Sequence, residues 1–308
     1  MTSGSDDRLY FRQLLSGRDF ATDDQMARQM VNFVYLIGDR VTGEAVIVDP
    51  AYDVAGLLGV LEADGMRCTG VLATHYHPDH VGGSMMGFDV IGARELMEHV
   101  SVPVHAQREE VEFIAKVTGL GDDEIVGHES GDVVMVGEVA IDLIHTPGHT
   151  PGSQCFLVDN HLIAGDTLFL EGCGRTDLPG GDPVALYDSL HNRLMSLPDA
   201  TRVFPGHGAG SACGKNLSTE TSSTIGDQRR TNYAVKLPDK ETFIGLITEG
   251  QPTAPEYFSH DAVLNRSNHA LLDEDEPPAG LLLADLDAAV RGGAVVVDGR
   301  DPEEFARG

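Results

Sequence analysis

Four short apolar runs in this chain each lead into a turn that carries histidine or aspartate. The run at residues 70–74 (GVLAT) precedes residues 75–80 (HYHPDH), and three later runs precede His149, Asp166 and His207. Short apolar runs bounded by Gly and Pro are typical of buried strands. The sequence therefore predicts a strand-rich fold that presents its polar groups on loops at the strand ends.

The motif at residues 75–80 has the composition of a metal site. It contains three histidines, His75, His77 and His80, and one carboxylate, Asp79. Alternate side chains of an extended segment point to the same side, so His75 and His77 can approach one metal ion. Asp79 and His80 follow the turn at Pro78 and can face a second ion. Neutral imidazole and carboxylate are common ligands of zinc, iron and manganese.

Three later residues strengthen this prediction. His149 lies in the turn TPGHTPGS, Asp166 lies in AGDTL, and His207 lies in FPGHG. A single histidine in a turn is a weak signal, because such a residue is more often structural than functional. Since all three follow predicted strands, they predict, together with residues 75–80, one metal site built from several strand ends.

These segments resemble the metallo-β-lactamase superfamily, over roughly residues 30–210. The resemblance implies an α+β fold, a four-layer αββα sandwich with the metal site at one edge of its sheets. For two zinc ions it implies seven ligands: His75, His77 and His149 on one ion, Asp79, His80 and His207 on the other, and Asp166 between them. Such a pair can ionise water near neutral pH. Asp79 and Asp166 are then the expected catalytic carboxylates.

The same family includes a second chemistry. Residues 172–177 (GCGRTD) are similar to the glyoxalase II-like branch, and most similar to its persulfide dioxygenases. This similarity implies one Fe(II) ion bound by His75, His149 and Asp166, with open positions for a substrate sulfur and O₂. The remaining residues would orient ligands and water. The seven residues therefore fit both chemistries.

Two further segments favour the dioxygenase. Residues 218–230 (STETSSTIGDQRR) resemble a downstream helix of persulfide dioxygenase-like proteins, and residues 295–308 resemble the opening of a rhodanese, or sulfurtransferase, domain. We therefore prefer O₂-dependent oxidation of a low-molecular-weight thiol persulfide to sulfite. The alternatives are a dinuclear hydrolase of thioesters, similar to hydroxyacylglutathione hydrolase, and a non-catalytic metal-binding partner of a sulfurtransferase.

The sequence predicts three parts along the chain. Residues 1–236 are expected to form the catalytic domain, with residues 84–130 as an insertion or lid because their spacing is helical around Pro103. Residues 237–280 are expected to be a linker, since this stretch includes the acidic, proline-containing run DEDEPPAG. Residues 281–308 are expected to be the truncated start of the rhodanese-like domain.

Two cationic residues are candidate substrate contacts. Arg175 could bind a substrate carboxylate, because a guanidinium group suits bidentate capture. The equally weighted alternative is a structural pair between Arg175 and a nearby acid such as Asp177. Lys215 is a candidate anion contact, and Cys213 beside it could line the mouth of the pocket.

Composition limits the class of partner. The chain has 308 residues, with 21 basic against 49 acidic side chains and a net charge of −28. Nucleic acids and anionic membranes attract basic surfaces, so we expect a small-molecule thiol persulfide or thioester, no nucleic acid and no membrane. No signal peptide is evident at the start, and the four cysteines are scattered. These features predict a cytoplasmic protein; a homo-oligomer stays open.

Overall fold

The protein is described here by a computed structural model that covers residues 8–85, 88–121, 123–211, 213–214, 217–237, 239–249 and 290–292. The strands in this part of the chain are β1 (Leu9–Leu15), β2 (Phe33–Asp39), β3 (Glu44–Val48), β4 (Arg67–Leu72), β5 (Gly83–Met85), β6 (Phe88–Val90), β7 (Val104–Gln107), β8 (Ile125–His128), β9 (Val133–Val136), β10 (Val139–His145), β11 (Gln154–Val158), β12 (His161–Ile163), β13 (Leu168–Phe169), β14 (Gly172–Cys173), β15 (Arg202–Phe204) and β16 (Ser223–Thr224). The α-helices are α1 (Gln25–Met30), α2 (Val54–Ala63), α3 (Pro78–Val81), α4 (Ala93–His99), α5 (Val111–Thr118), α6 (Pro183–Asp188), α7 (Ile225–Thr231) and α8 (Lys240–Thr248).

Two six-stranded sheets form the frame of the protein. The first has the order β1-β2-β3-β4-β7-β8, and the second has the order β16-β15-β12-β11-β10-β9. Strands β3, β4, β7 and β8 pair in parallel, because helices lie between them along the chain. In the second sheet only the pair β12–β15 is parallel, and α6 lies in that crossover.

The two sheets pack face to face through alternating side chains. On β2, Tyr35 and Ile37 are buried in a cluster that also contains Leu143 and Phe156 of the second sheet. Leu36 belongs instead to the cluster beneath the helices, because successive residues of a strand point to opposite faces. This double burial explains why β2 is an uninterrupted apolar run until its last two residues.

Helices cover the outer face of each sheet. Leu57 of α2 and Leu96 of α4 pack into the outer cluster of the first sheet. Leu186 of α6 and Phe243 of α8 pack into the outer cluster of the second sheet. The layers are therefore helix, sheet, sheet and helix, which confirms the predicted α+β, four-layer αββα sandwich.

The segment predicted as an insertion or lid forms part of the sandwich itself, not an addition to it. Residues 84–130 supply β7 and β8, which extend the first sheet, together with α4 and α5, which pack on its outer face. Strand β7 has only four residues between two helical patterns, so its periodicity is too short to identify it in the sequence.

The predicted linker and terminal domain lie mostly outside the described residues. Within residues 237–280, the described stretch contains α8, whose Phe243 and Ile247 are buried against the second sheet's helical layer. The rest of the predicted linker, and the predicted rhodanese-like segment apart from residues 290–292, are not described. Across the described ranges, no helix is long and apolar enough to cross a membrane.

The two faces of β10 give a test of the packing. Leu143 is 1% exposed between the sheets, and the adjacent Asp142 points to solvent. We expect Leu143→Ala to lower the free energy of unfolding by about 2–5 kcal/mol, because it leaves a cavity. The matched Asp142→Ala should change it by less than about 0.5 kcal/mol. Denaturant unfolding measures both; equal losses would contradict the assignment of the faces.

Candidate metal centre

The seven residues predicted as ligands come together at one edge of the sandwich. The segment at residues 75–80 follows β4 of the first sheet and leads into α3, which carries Asp79 and His80, whereas three loops follow β10, β12 and β15 of the second sheet. Six of the seven side chains are buried and that of His77 is half-buried. The set is His75, His77, Asp79, His80, His149, Asp166 and His207. Residues from both sheets therefore build one site.

Three imidazoles form the first group of this site. His77 Nδ1 lies 3.0 Å from His75 Nε2 and 3.1 Å from His149 Nε2. One ring nitrogen thus faces two others, and a single hydrogen can serve only one of these two contacts. The nitrogens of these three residues are close enough together to hold one metal ion.

A second group lies beside the first. His80 Nε2 is 3.1 Å from His207 Nε2, and Asp79 Oδ2 is 3.4 Å from His207 Nε2 and 3.6 Å from His80 Nε2. The thiol of Cys213 also lies close to Asp79 and His207, so that these three residues form a further possible ligand group. This group has the donor types that a second metal ion would need.

Asp166 lies between the two groups. Its Oδ2 is 3.5 Å from His149 Nε2 and 3.4 Å from His207 Nε2, and its Oδ1 is 3.4 Å from His80 Nε2. Both oxygens are buried, and neither has a well-oriented hydrogen-bond donor in the described part of the chain. A buried carboxylate without donors is unfavourable unless a cation neutralises it.

These separations fit metal coordination. Ligand atoms about 2.1 Å from a metal ion lie about 3.0 Å apart at right angles and about 3.4 Å apart in a tetrahedron. The distances within both groups, from 3.0 to 3.6 Å, span these values. The donor set, the geometry and the unsatisfied oxygens of Asp166 therefore all fit a metal centre.

The outer nitrogens of two histidines show which ring atoms face the site. His149 Nδ1 is 2.8 Å from the carbonyl oxygen of Arg175, and His207 Nδ1 is 2.8 Å from that of Met30. A carbonyl oxygen only accepts, so each Nδ1 carries the hydrogen. Each Nε2 is then the ring nitrogen that faces the site, which is the arrangement found for metal-binding histidines.

Asp49 is not among the residues predicted from the sequence, yet it connects the two groups. It follows β3 with a left-handed φ of 57° and accepts hydrogen bonds from His80 Nδ1 at 2.8 Å and the Thr74 hydroxyl at 2.7 Å. The Thr74 oxygen in turn lies 3.0 Å from His75 Nδ1 and accepts its hydrogen. The one available signal is its position at the end of the run AVIV, as for the predicted residues.

Asn32 is a second residue that was not predicted. Its Nδ2 donates to the backbone oxygen of Asp79 at 3.0 Å and to Asp79 Oδ2 at 3.1 Å. Its Oδ1 accepts from the Tyr52 hydroxyl at 3.0 Å, which fixes the orientation of the amide. Asn32 thus orients Asp79, although in the sequence it only precedes an apolar strand.

The electrostatics of the site favour a cation. Burial, and then the neighbouring imidazoles, lower the pKa of His75 and His77, that of His77 to about 3. Burial alone would lower the pKa of His80 and His207, but the nearby carboxylates raise both. Burial likewise opposes ionisation of Asp166, but His207 and His80 hold the pKa of Asp166 below its ordinary value. Ionised carboxylates thus attract positive charge, whether a proton or a metal ion.

The candidate substrate contacts lie beside this site or outside the described residues. The Arg175 guanidinium pairs with Asp177 through two contacts of 2.7 Å, Nε to Oδ1 and a terminal nitrogen to Oδ2. This is the structural alternative considered for Arg175, and a role in substrate binding stays a prediction. Lys215 lies outside the described residues.

Replacing the Asp49 carboxylate tests its connecting role. Asparagine tolerates a left-handed φ, so Asp49→Asn should keep the backbone, but an amide accepts fewer of these hydrogen bonds. We expect metal affinity to fall roughly 10- to 100-fold, measured by competition with a chelator. The control is Asp142→Asn, the same chemical change at an exposed residue. Unchanged affinity in Asp49→Asn would remove the proposed role.

Comparison with known proteins relates this site to a family. Residues 28–207 match the metallo-beta-lactamase superfamily. Human mitochondrial persulfide dioxygenase ETHE1 is 31% identical over 238 residues, which are 75% of this chain and 84% of that protein. A hydroxyacylglutathione hydrolase from Bradyrhizobium is 34% identical over 253 residues, 74% of this chain and 91% of that protein.

A solved structure agrees with these relatives. The crystal structure of ETHE1 from Myxococcus xanthus matches with a TM-score of 0.63 and 29% identity, over 83% of this chain and 98% of that one. The matched family segment begins before β2 and ends at His207, so it contains all seven residues of the site. Fold, site and similarity agree, and the chain belongs to the metallo-beta-lactamase superfamily.

Proposed function

We propose that this protein uses O₂ and water to oxidise the outer sulfur of a low-molecular-weight thiol persulfide to sulfite, releasing the thiol, with one iron(II) ion bound by His75, His149 and Asp166. The observation that carries the proposal is the buried Asp166 carboxylate facing imidazoles at metal-ligand distances, in a chain similar to a persulfide dioxygenase over most of its length. Iron(II), when bound by two histidines and a carboxylate, supplies O₂ chemistry at its open positions.

The residues of this chain would orient that centre. Arg175 O holds His149, and Thr74 links His75 to Asp49, so two of the three proposed ligands have fixed rings. His77, Asp79, His80 and His207 border the same space and would orient substrate and water. Burial of the set limits access of bulk water.

A dinuclear hydrolase of thioesters is the second candidate. One observation supports it, because histidine and carboxylate donors lie on both sides of Asp166, with His149 on one side and His207 and Asp79 on the other. The similarity to a hydroxyacylglutathione hydrolase supports it also. Two zinc ions would supply an ionised water. Asp79, oriented by Asn32, would then hold that water in position.

Two further features support the proposed setting. Cys68, Cys155 and Cys213 are free thiols, which supports a reducing compartment such as the cytoplasm. The net charge of −28 favours a small-molecule substrate over nucleic acid or an anionic membrane.

Oxygen uptake tests the preferred reaction. Protein loaded anaerobically with iron and then given glutathione persulfide should consume O₂ and form sulfite, with one iron ion per chain. Asp166→Ala should lose both the iron and the uptake, because it removes the proposed carboxylate ligand. No uptake, with two zinc ions per chain and thioesterase activity, would replace the proposal with the hydrolase. Bound metal with neither activity would favour the non-catalytic metal-binding partner of a sulfurtransferase.

His77→Ala separates the two enzymes by metal content. In the dinuclear hydrolase His77 is a ligand, so the variant should retain about one metal ion fewer per chain. In the mononuclear iron site it only orients other groups, so the variant should keep one ion with weaker affinity. Metal analysis after dialysis distinguishes these results. His99→Ala, at an exposed histidine of α4, is the control and should change neither quantity.

A further inference from the structure

A buried carboxylate joins the two loops that carry the three-imidazole group. Glu110 ends a short 3₁₀ turn between β7 and α5 and is 0% exposed. The two loops follow strands of different sheets, β4 and β10. Glu110 therefore lies where a side chain can influence how the loops are placed relative to one another.

Each oxygen of Glu110 binds one loop. Oε2 accepts from the backbone N–H of Tyr76 at 2.9 Å, and Tyr76 lies between two histidines of the motif at residues 75–80. Oε1 accepts from the backbone N–H of Gly152 at 2.8 Å and from the hydroxyl of Thr150 at 2.6 Å. Thr150 directly follows the histidine of the second loop, so both contacts are adjacent to proposed ligands.

The second loop approaches Glu110 closely. A Cβ atom at Gly152 would lie 2.5 Å from Glu110 Cγ and 2.8 Å from the Glu110 backbone nitrogen. Only glycine therefore allows this contact. The sequence TPGS at residues 150–153 supplies it, and the loop packs closely against both the side chain and the backbone of Glu110.

Burying a carboxylate is energetically unfavourable, and an apolar side chain could fill the same volume without that cost. Burial raises the pKa of Glu110 to about 7, although its three donors oppose that rise. Apolar side chains of similar volume usually stabilise a core at least as well as buried charged groups. The three hydrogen bonds of Glu110, rather than its volume, are therefore what an apolar side chain could not replace at this position.

We propose that Glu110 is a positioning residue of the metal centre, which fixes the separation of the two loops and so places His77 between His75 and His149. The inference rests on the proposed binding of metal by these three histidines. Without Glu110 the N–H groups of both loops lose their acceptor, and His77 Nδ1 is no longer held within 3.1 Å of both neighbouring nitrogens.

Glu110→Gln is the sharpest variant, because it keeps the shape and changes one oxygen to an NH₂ group. Whichever way the amide is turned, the NH₂ faces the N–H of either Tyr76 or Gly152, and one loop loses its acceptor. Glu112→Gln makes the same chemical change at an exposed position of α5 and is the control.

The test is a cobalt(II) titration of the full chain and its variants, read by the visible absorption spectrum and by competition with a chelator. Glu110→Gln should lower cobalt affinity roughly 10- to 100-fold and alter the spectrum, whereas Glu112→Gln should do neither. Thermal unfolding after chelator treatment reports stability separately. Should Glu110→Gln fail to fold, Glu110→Asp, which keeps the charge but is shorter, should change affinity and spectrum in the same direction.

Two outcomes would overturn the inference, and they differ from failure of the proposed function. If Glu110→Gln unfolds at a lower temperature but binds cobalt with the affinity and spectrum of the unaltered chain, its role is structural only. Persulfide oxidation by the unaltered chain would still stand in that case. If the unaltered chain binds no metal, the proposed ligation fails and the inference fails with it.

Discussion

The buried carboxylate of Asp166 sets the main physical constraint on this protein. Two carboxylates and five imidazoles share one nearly dry edge of the sandwich, where each carboxylate oxygen and each unprotonated ring nitrogen can only accept. Acceptors repel one another unless a cation lies between them. The loops therefore have to hold these groups together against their own repulsion, and the hydrogen bonds around the site can be understood from that requirement.

Three buried polar residues hold the candidate ligands and their loops in place by hydrogen bonds. Asp49 orients a histidine of each group, directly or through Thr74. Asn32 holds Asp79, and Glu110 joins two loops. Each is buried, and each binds a ligand candidate or its backbone neighbour. The Asn32 amide also lies 3.4 Å from His80 Nε2 and 3.5 Å from His207 Nε2, at the border of the site itself. Order at the centre thus comes from residues that take no part in the proposed chemistry.

The candidate ligands could be predicted from the sequence, but the residues that position them could not. His75, His149 and His207 follow apolar strands in glycine- or proline-rich turns, a local pattern, and the structure brings them together. Glu110 acts on residues 34 to 42 positions away, and no local pattern reports such a partner. The role of residues 84–130 is similarly hidden, because β7 is recognisable only from the strands it pairs with.

The site takes one loop from the first sheet and three from the second, and this division has a thermodynamic consequence. An ion bound across the two sets would cross-link the sheets at their edge. Its binding free energy then adds to the stability of the sandwich, and firm packing between the sheets in turn tightens binding. Core side chains between the two sheets, such as Phe156, therefore influence the affinity for metal by stabilising the folded sandwich.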